Sequence, residues 1–213
     1  IEDQKQQISD IQEKQNAEVI EMPNRSGSVI TRFVRVTNLV KQGFLHLAEV
    51  EIYEGSKNVA RTGKVSQSST GFNGPPKLAI DGNTDGDYAK MSVTHTNQED
   101  NPWLEIDLGS PRKIDLIKIY NRTDGGTANR IKEFQIVAFD EKREPNWVQR
   151  VKKTPNPDHV ASVPVSFELF SPEQTSAIAQ YKTEADPNER TIAQKKLKDL
   201  QRRLNGIKGP PVP

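Results

Sequence analysis

Short segments in the middle of the chain alternate apolar and polar side chains. This period of two is typical of strands that bury one face in a core. Turns rich in Gly, Pro and Asn separate the segments, and no helical stretch lies between them. An antiparallel β-sandwich spanning residues 28–170 is therefore favoured over a parallel α/β sheet. The clearest of these segments are 46–53, 103–108, 134–139 and 163–169.

The stretch 140–160 interrupts this alternation. It contains three prolines and many charged residues. Proline cannot donate a ladder hydrogen bond and punctuates regular structure. We expect a long surface loop here, built around a short Trp147-Val148 strand.

Both ends of the chain follow a helical period instead. Apolar residues recur at heptad a and d spacings in 1–22 and again between Ala193 and Ile207. Ser171-Pro172 and Asp186-Pro187 are typical helix starts, which predicts C-terminal helices within 171–208. Residues 1–22 carry six acids and two lysines, whereas residues 182–208 carry eight basic residues and four acids. We expect the end helices to pack as an antiparallel hairpin, with a structural role favoured over partner binding.

Composition narrows the functional classes. The chain has 213 residues, 33% of them hydrophobic, with 30 basic and 29 acidic residues. A net charge of +1 gives no global field that would favour nucleic acid or an acidic membrane. No cysteine is present, which excludes disulfides and thiolate catalysis. Length and apolar content together predict one main domain with polar accessory segments.

An enzymatic role is disfavoured by the motifs of the chain. Its three histidines, His46, His95 and His159, lie in no zinc-ligand spacing. No nucleophile elbow, P-loop or dinucleotide fingerprint is present. We predict a non-catalytic protein that binds neither nucleic acid nor membranes.

The densest polar loop lies at 81–87, where carboxylates and an amide alternate with glycines. Oxygen-rich loops of this kind suit Ca²⁺, which takes six to eight hard ligands. The EF-hand pattern fails, since Ser92 stands where a bidentate Glu belongs. On the loop alone, a non-EF calcium site and a plain Asp/Asn/Gly turn remain equal alternatives.

Residues 30–140 contain a series of spaced motifs, among them Ala79–Gly86, Thr94-His95-Thr96 and Asn121–Asp124. This series resembles the fucose-binding F-type lectins. The family's sugar motif is His, twenty-six residues, Arg-x-Asp, four residues, then Arg or Lys. His95 and the Arg122-Thr123-Asp124 segment stand in that register, and Arg130 follows after five residues instead of four. The family's frequent cysteine pair is replaced here by glycines at 125 and 126. The series is Asn58–Thr70, Ala79–Gly86, Thr94-His95-Thr96, Asn101-Pro102-Trp103, Asp107-Leu108-Gly109 and Asn121–Asp124.

This resemblance implies a galactose-binding-like jelly-roll sandwich and a sugar site made by four residues. Arginine forks donate to neighbouring hydroxyls, and a neutral imidazole accepts from or donates to an axial hydroxyl. Asp124 would hold an arginine in place. The alternative is that Arg122 and Arg130 form plain ion pairs with Asp124 and Glu133. The implied sugar-binding residues are His95, Arg122, Asp124 and Arg130.

The resemblance also implies a calcium site. In the family, the Asp-Gly-Asn loop binds Ca²⁺ together with a Leu-x-Glu-Val-Glu strand near the end of the domain. Here the matching strand, 47–52, precedes the rest of the motifs, as if the domain were circularly permuted. We predict that Glu49 nevertheless reaches the Asp81 loop. The implied ligands are Asp81, Asn83, Ser92, Glu49 and the backbone carbonyls of Leu78 and Ala48.

The sequence therefore predicts a calcium-stabilised carbohydrate-binding module for fucose-like sugars. A non-catalytic structural or interaction domain with a degenerate sugar site is the main alternative, and binding of sulfated polysaccharide through the arginines is a third. The end segments resemble those flanking such domains in large secreted cytochrome-like proteins of environmental bacteria. That resemblance implies a larger parent polypeptide and an extracellular or periplasmic location.

Overall fold

A computed structural model describes residues 29–164 and 170–184, and its centre is a pair of antiparallel sheets. The five-stranded sheet has the order β4 (Lys64–Gln67), β5 (Trp103–Arg112), β1 (Thr31–Asn38), β7 (Phe134–Phe139) and β8 (Pro145–Val151). The four-stranded sheet has the order β3 (Lys57–Asn58), β2 (Leu47–Glu54), β6 (Leu116–Asn121) and β9 (Asp158–Ser162).

The period-two pattern explains this layered architecture. Alternate side chains of β1, β5 and β7 meet those of β2 and β6 in one apolar core between the sheets. Burying apolar side chains in this way is the main stabilising contribution to the fold. The predicted mainly β fold with antiparallel sheets is confirmed. The core includes Val34, Val36, Val50, Ile52, Leu104, Ile106, Ile117, Ile119, Phe134 and Ile136.

The predicted surface loop at 140–160 is wrong. The predicted Trp147-Val148 strand is only the middle of the longer β8, and the end of the stretch enters β9; these strands pair with β7 and β6. Trp147 is fully buried, and Pro145 is tolerated because it begins an edge strand. The charged residues that suggested a loop are concentrated in the tight turn 140–144.

One α-helix lies in the described residues, α1 (Pro172–Glu184). It begins at the predicted Ser171-Pro172 start, where the Ser171 hydroxyl accepts from the backbone N–H of Gln174 at 3.3 Å. Ile178 packs it against Phe139 and Val148 on the outer face of the five-stranded sheet. No described helix is long and apolar enough to cross a membrane. The predicted 1–22 helix, the strand at 165–169 and the hairpin lie outside the described residues.

The strand directions place four connections at one end of the sandwich. Because neighbouring strands are antiparallel, the ends of β1, β4, β6 and β8 and the starts of β2, β5, β7 and β9 lie together. We call this end the site end. It carries the connections 39–46, 68–102, 122–133 and 152–157.

Candidate functional site

Arg122 lies at the site end, directly after β6. Its Nε and Nη2 donate to the two carboxylate oxygens of Asp124 at 2.6 and 2.7 Å. The guanidinium also lies over the ring of Tyr88, 4.3 Å from the centroid. A bidentate ion pair and a stacked ring together fix the plane of the guanidinium. Two of its five N–H groups are used by Asp124, which leaves others for a ligand.

Asp124 is held from two sides. The Arg122 hydrogen bond lowers the pKa of this carboxyl to about 2, and the backbone N–H of Tyr88 donates to the same group at 3.1 Å. Thr123 also donates its N–H to the carbonyl of Gly86 at 2.9 Å. The arginine turn is therefore bonded directly to the polar loop that precedes Tyr88.

His95 is buried beside this turn. Its Nδ1 lies 2.7 Å from the carbonyl of Thr96. A carbonyl can only accept, so Nδ1 carries the proton and Nε2 is an acceptor in the neutral ring. Burial lowers the pKa of His95, and Arg122 and Arg130 lower it further. The imidazole is therefore neutral at pH 7.

Arg130 comes to the same site from the far side of the glycine pair. Gly125 and Gly126 both have positive φ, 59° and 68°, which any residue with a Cβ adopts only with strain. The two glycines thus form a kink between Asp124 and Arg130, in the segment where this chain has one residue more than the F-type pattern. The Arg130 guanidinium lies 5.2 Å from the centroid of Phe44. It does not pair with Glu133, whose carboxylate holds Arg150 at 2.6 Å instead.

Aromatic side chains surround His95, and most of them were missed in the sequence motifs. The rings of Phe72 and Phe44 lie 4.5 and 5.2 Å from the His95 ring, and Tyr88 lies 6.1 Å away. Phe72 is 57% exposed, although its carbonyl is held by the Tyr88 hydroxyl. Phe44 lies in the connection 39–46, and Phe72 and Tyr88 lie in different parts of the connection 68–102, so no short sequence motif links the three.

His46 lies beneath the site. Its ring is fully buried, 5.5 Å from that of His95, and neither nitrogen has a hydrogen-bond partner among the described residues. Burial lowers the pKa of His46 to about 3. A second neutral imidazole therefore lies next to His95 on its buried side.

The polar loop at 81–92 is built from consecutive side-chain turns. The Asp81 carboxylate accepts from the backbone N–H of Asn83 at 2.8 Å. The side-chain oxygen of Asn83 in turn accepts from the backbone N–H of Asp85 at 3.1 Å. The Ser92 hydroxyl donates to the carbonyls of Asp85 and Asp87, which closes the loop. These bonds are the ones that the plain-turn alternative requires.

Glu49 reaches this loop, as predicted. Its side chain projects from β2 at an irregularity in the pairing with β6, and the N–H of Gly82 donates to Oε1 at 3.1 Å. Glu49 is fully buried, and Oε2 has no hydrogen-bond partner in the described residues. Burial raises the pKa of this carboxyl to about 7. A buried carboxylate oxygen without a partner is costly unless something pairs with it.

The other implied calcium ligands lie around the same loop. Leu78 is in a short 3₁₀ helix, Pro76–Ile80, that leads into Asp81, and Ala48 precedes Glu49 in β2. In the described residues, no three His, Asp or Glu side chains form a cluster that could hold a metal ion. The implied set therefore depends on carbonyl, amide and hydroxyl oxygens besides Glu49 and Asp81.

Comparison with known proteins agrees with this geometry. The family model described as "NedA-like, galactose-binding domain" matches residues 78–169. The lectin domain of lectinolysin, solved in complex with Lewis B antigen, is 37% identical with a TM-score of 0.51. The match covers 53% of this chain and 80% of that domain.

Two curated relatives come from the eel Anguilla japonica. Fucolectin-1 is 38% identical over 73 residues, covering 32% of this chain and 41% of that protein. Fucolectin-5 is 40% identical over 73 residues, covering 32% and 39%. The chain thus spans about two fifths of the length of these relatives.

The chain belongs to the F-type lectin family, within the galactose-binding-like domains. The resemblance carried by His95 and the Arg122–Asp124 turn is therefore confirmed at the level of the family. Its members are sugar-binding modules rather than enzymes, which agrees with the prediction of a non-catalytic protein.

Asp124→Asn tests the ion pair that orders the site. The folded state holds the pKa of Asp124 below its unfolded value of 3.8, so its stabilising contribution is present above pH 4 and is lost as the pH falls towards 2. For a partly exposed pair we expect the variant to be about 1 kcal/mol less stable at pH 7. Urea unfolding at pH 7 and pH 2.5 measures this difference. A deficit of equal size at both pH values would contradict the ion-pair explanation.

Proposed function

We propose that the chain is a calcium-stabilised carbohydrate-binding module that recognises fucose-like sugars. The observation that carries the proposal is the convergence of His95, Arg122 and Arg130 beside exposed aromatic surface at the site end. The relatives include proteins named fucolectins and a lectin domain bound to Lewis B antigen, which supports the same ligand class.

The polar groups suit a sugar with adjacent hydroxyls. Arg122 and Arg130 offer N–H donors in fixed forks, which match the lone pairs of neighbouring hydroxyls or a ring oxygen. His95 presents Nε2 as an acceptor, because Nδ1 donates to the Thr96 carbonyl. With arginine donors on one side and the His95 Nε2 acceptor on the other, the site favours a sugar hydroxyl that both donates and accepts a hydrogen bond.

The aromatic groups suit a 6-deoxy sugar. Phe72 is exposed next to His95, and Tyr88 lies against Arg122. A methyl group gains by leaving water for such a surface, by about 0.8 kcal/mol for each buried carbon. A hydroxymethyl group in the same place loses hydration without gaining a partner. The site therefore favours fucose over its 6-hydroxy counterpart.

The site is ordered before any ligand arrives. Asp124 and the Tyr88 ring hold the guanidinium of Arg122, whose side chain is only 12% exposed. Side chains that are already fixed lose little conformational entropy on binding. This ordering argues against the alternative of a degenerate sugar site within a structural domain.

Calcium is proposed at the loop beneath Tyr88. The buried Oε2 of Glu49 has no partner in the described residues, and Asp81 and Asn83 lie in the adjacent loop. A hard cation would satisfy the carboxylate and favour its charged form. When bound, Ca²⁺ supplies positive charge and oxygen coordination only. Backbone and hydroxyl oxygens of Ser92, Leu78 and Ala48 are the further candidates.

The segment order supports a circularly permuted domain. The strand that carries Glu49 precedes the Asp81 loop in sequence, yet the two are in contact. We also propose that the chain is part of a larger secreted or periplasmic polypeptide. The resemblance of the end segments to those that flank such domains in large secreted cytochrome-like proteins supports that proposal.

Titration calorimetry with L-fucose tests the sugar site. We expect His95→Ala and Arg122→Lys to weaken binding at least about tenfold, because each removes a ligand contact that nothing else replaces. The matched control is His159→Ala, a half-buried histidine that contacts Gln149 in the neighbouring sheet. No binding by the parent chain, or unchanged binding by His95→Ala, would contradict the proposal.

Thermal unfolding with added CaCl₂ tests the metal site. Binding at a hundred times the dissociation constant stabilises a fold by about 2.7 kcal/mol, which predicts a rise in Tm of about 5–10 °C. Glu49→Gln should abolish this rise. Glu51→Gln, two residues along the same strand, should retain it. An equal calcium response in both variants, or none in the parent chain, would exclude the proposed site.

A further inference from the structure

Four exposed basic residues lie at the site end: Arg130, which also belongs to the sugar site, and Lys132, Lys152 and Lys153. We call them the basic rim. Two belong to the connection that leads into β7, and two follow the end of β8. None of them forms an ion pair with another described residue, so their charges face solvent at the same end as His95 and Arg122.

The pairing of β7 with β8 brings the two halves of the rim together. The last pair in the register is Phe134 with Val151, so the residues just beyond it on both strands are neighbours. The ion pair between Glu133 and Arg150, at 2.6 Å, shows that the contact persists at this end.

Hydrogen bonds from the Asn121 side chain also connect the rim to the sugar site. The Asn121 side chain donates to the carbonyls of Ala128 and Pro155, at 3.1 and 3.0 Å. Asn121 immediately precedes Arg122 and is itself buried. The connection 152–157 is therefore fixed against the segment that carries Arg130.

Two acids near the rim are ion-paired with other arginines, and two more accept hydrogen bonds from neutral groups. Glu133 holds Arg150, and Asp124 holds Arg122. Asp100 accepts from the backbone and side chain of Gln42. Glu99 accepts from the hydroxyls of Ser68 and Ser69.

At the opposite end of the sandwich, three arginines are paired with acids. Arg112 meets Glu54, Arg32 meets Asp107 and Glu141, and Arg143 meets Glu105. The four residues of the basic rim, in contrast, lie without an ion pair among the described residues at the end that carries the sugar site.

We infer that the natural ligand is a sulfated fucose polysaccharide, whose terminal or branching fucose occupies the His95–Arg122–Arg130 site while sulfate esters on the adjoining units contact the basic rim. The inference rests on the proposed function. Lysine ammonium groups bind sulfate as point charges, and the exposed Arg130 can bridge the sugar and a neighbouring sulfate. Because the rim is exposed, its attraction acts over about a Debye length and is screened by salt.

Binding of four probes by biolayer interferometry tests this inference. They are L-fucose, an algal sulfated fucan, the same fucan after desulfation, and heparin, which is sulfated but lacks fucose. At 50 mM NaCl we expect the sulfated fucan to bind at least about tenfold more tightly than the desulfated form, and 500 mM NaCl should remove most of that preference. Heparin should bind more weakly than the sulfated fucan.

A pair of charge-matched double variants separates the rim from the net charge. Lys132→Glu with Lys153→Glu should weaken sulfated fucan binding about tenfold at 50 mM NaCl. L-fucose affinity should stay within about twofold, since neither lysine belongs to the sugar site. The control, Lys57→Glu with Lys113→Glu, makes the same charge change at the opposite end and should have little effect.

The outcomes distinguish the two levels of the account. If L-fucose binds but sulfation of the fucan gives no advantage, the inference is overturned and the proposed function stands. If both double variants weaken fucan binding equally, a general field is responsible and the inference is also overturned. If neither L-fucose nor any fucan binds, the proposed function fails, and the inference fails with it.

Discussion

The ion pair between Arg122 and Asp124 is the interaction on which the rest of the site depends. It fixes a guanidinium whose other face is covered by Tyr88, and Asp124 also accepts from the Tyr88 backbone. One carboxylate therefore joins the arginine turn after β6 to the polar loop at 81–92. Because Tyr88 also holds the Phe72 carbonyl, the same contact reaches the exposed aromatic surface. Segments from the connections 68–102 and 122–133 are thus held in one arrangement by a few hydrogen bonds.

Electrostatics explains how two histidines and two arginines can lie close together at the site end. His46 and His95 lie close to two arginines, and burial together with that positive field keeps both rings neutral. Neutral imidazoles avoid adding charge to an already basic site, and His95 keeps an acceptor available. Tyr88 also belongs to the polar loop whose Gly82 N–H donates to the buried Glu49. The proposed calcium site and the sugar site are therefore connected through one loop.

The sequence predicted the features that depend on local pattern. Alternation of apolar residues predicted the antiparallel sheets, and Ser171-Pro172 predicted the start of α1, because both signals lie within a few neighbouring residues. At 140–160 it predicted a long loop with only a short Trp147-Val148 strand and so missed most of β8 and all of β9, whose burial depends on pairing with β7 and β6. The aromatic neighbours of His95 were also missed, since Phe44, Phe72 and Tyr88 meet only through the fold. Spacing found His95 and Arg122 because a family motif preserves their separation.

The most direct test of the central claim is a crystal structure of the chain grown with L-fucose. The account predicts one ordered sugar at the site end, with hydroxyls within hydrogen-bond distance of His95 Nε2 and the guanidinium groups of Arg122 and Arg130. The methyl group should lie against Phe72 and Tyr88. An ordered fucose bound elsewhere, or a sugar whose hydroxyls avoid both arginines at saturating concentration, would contradict the account.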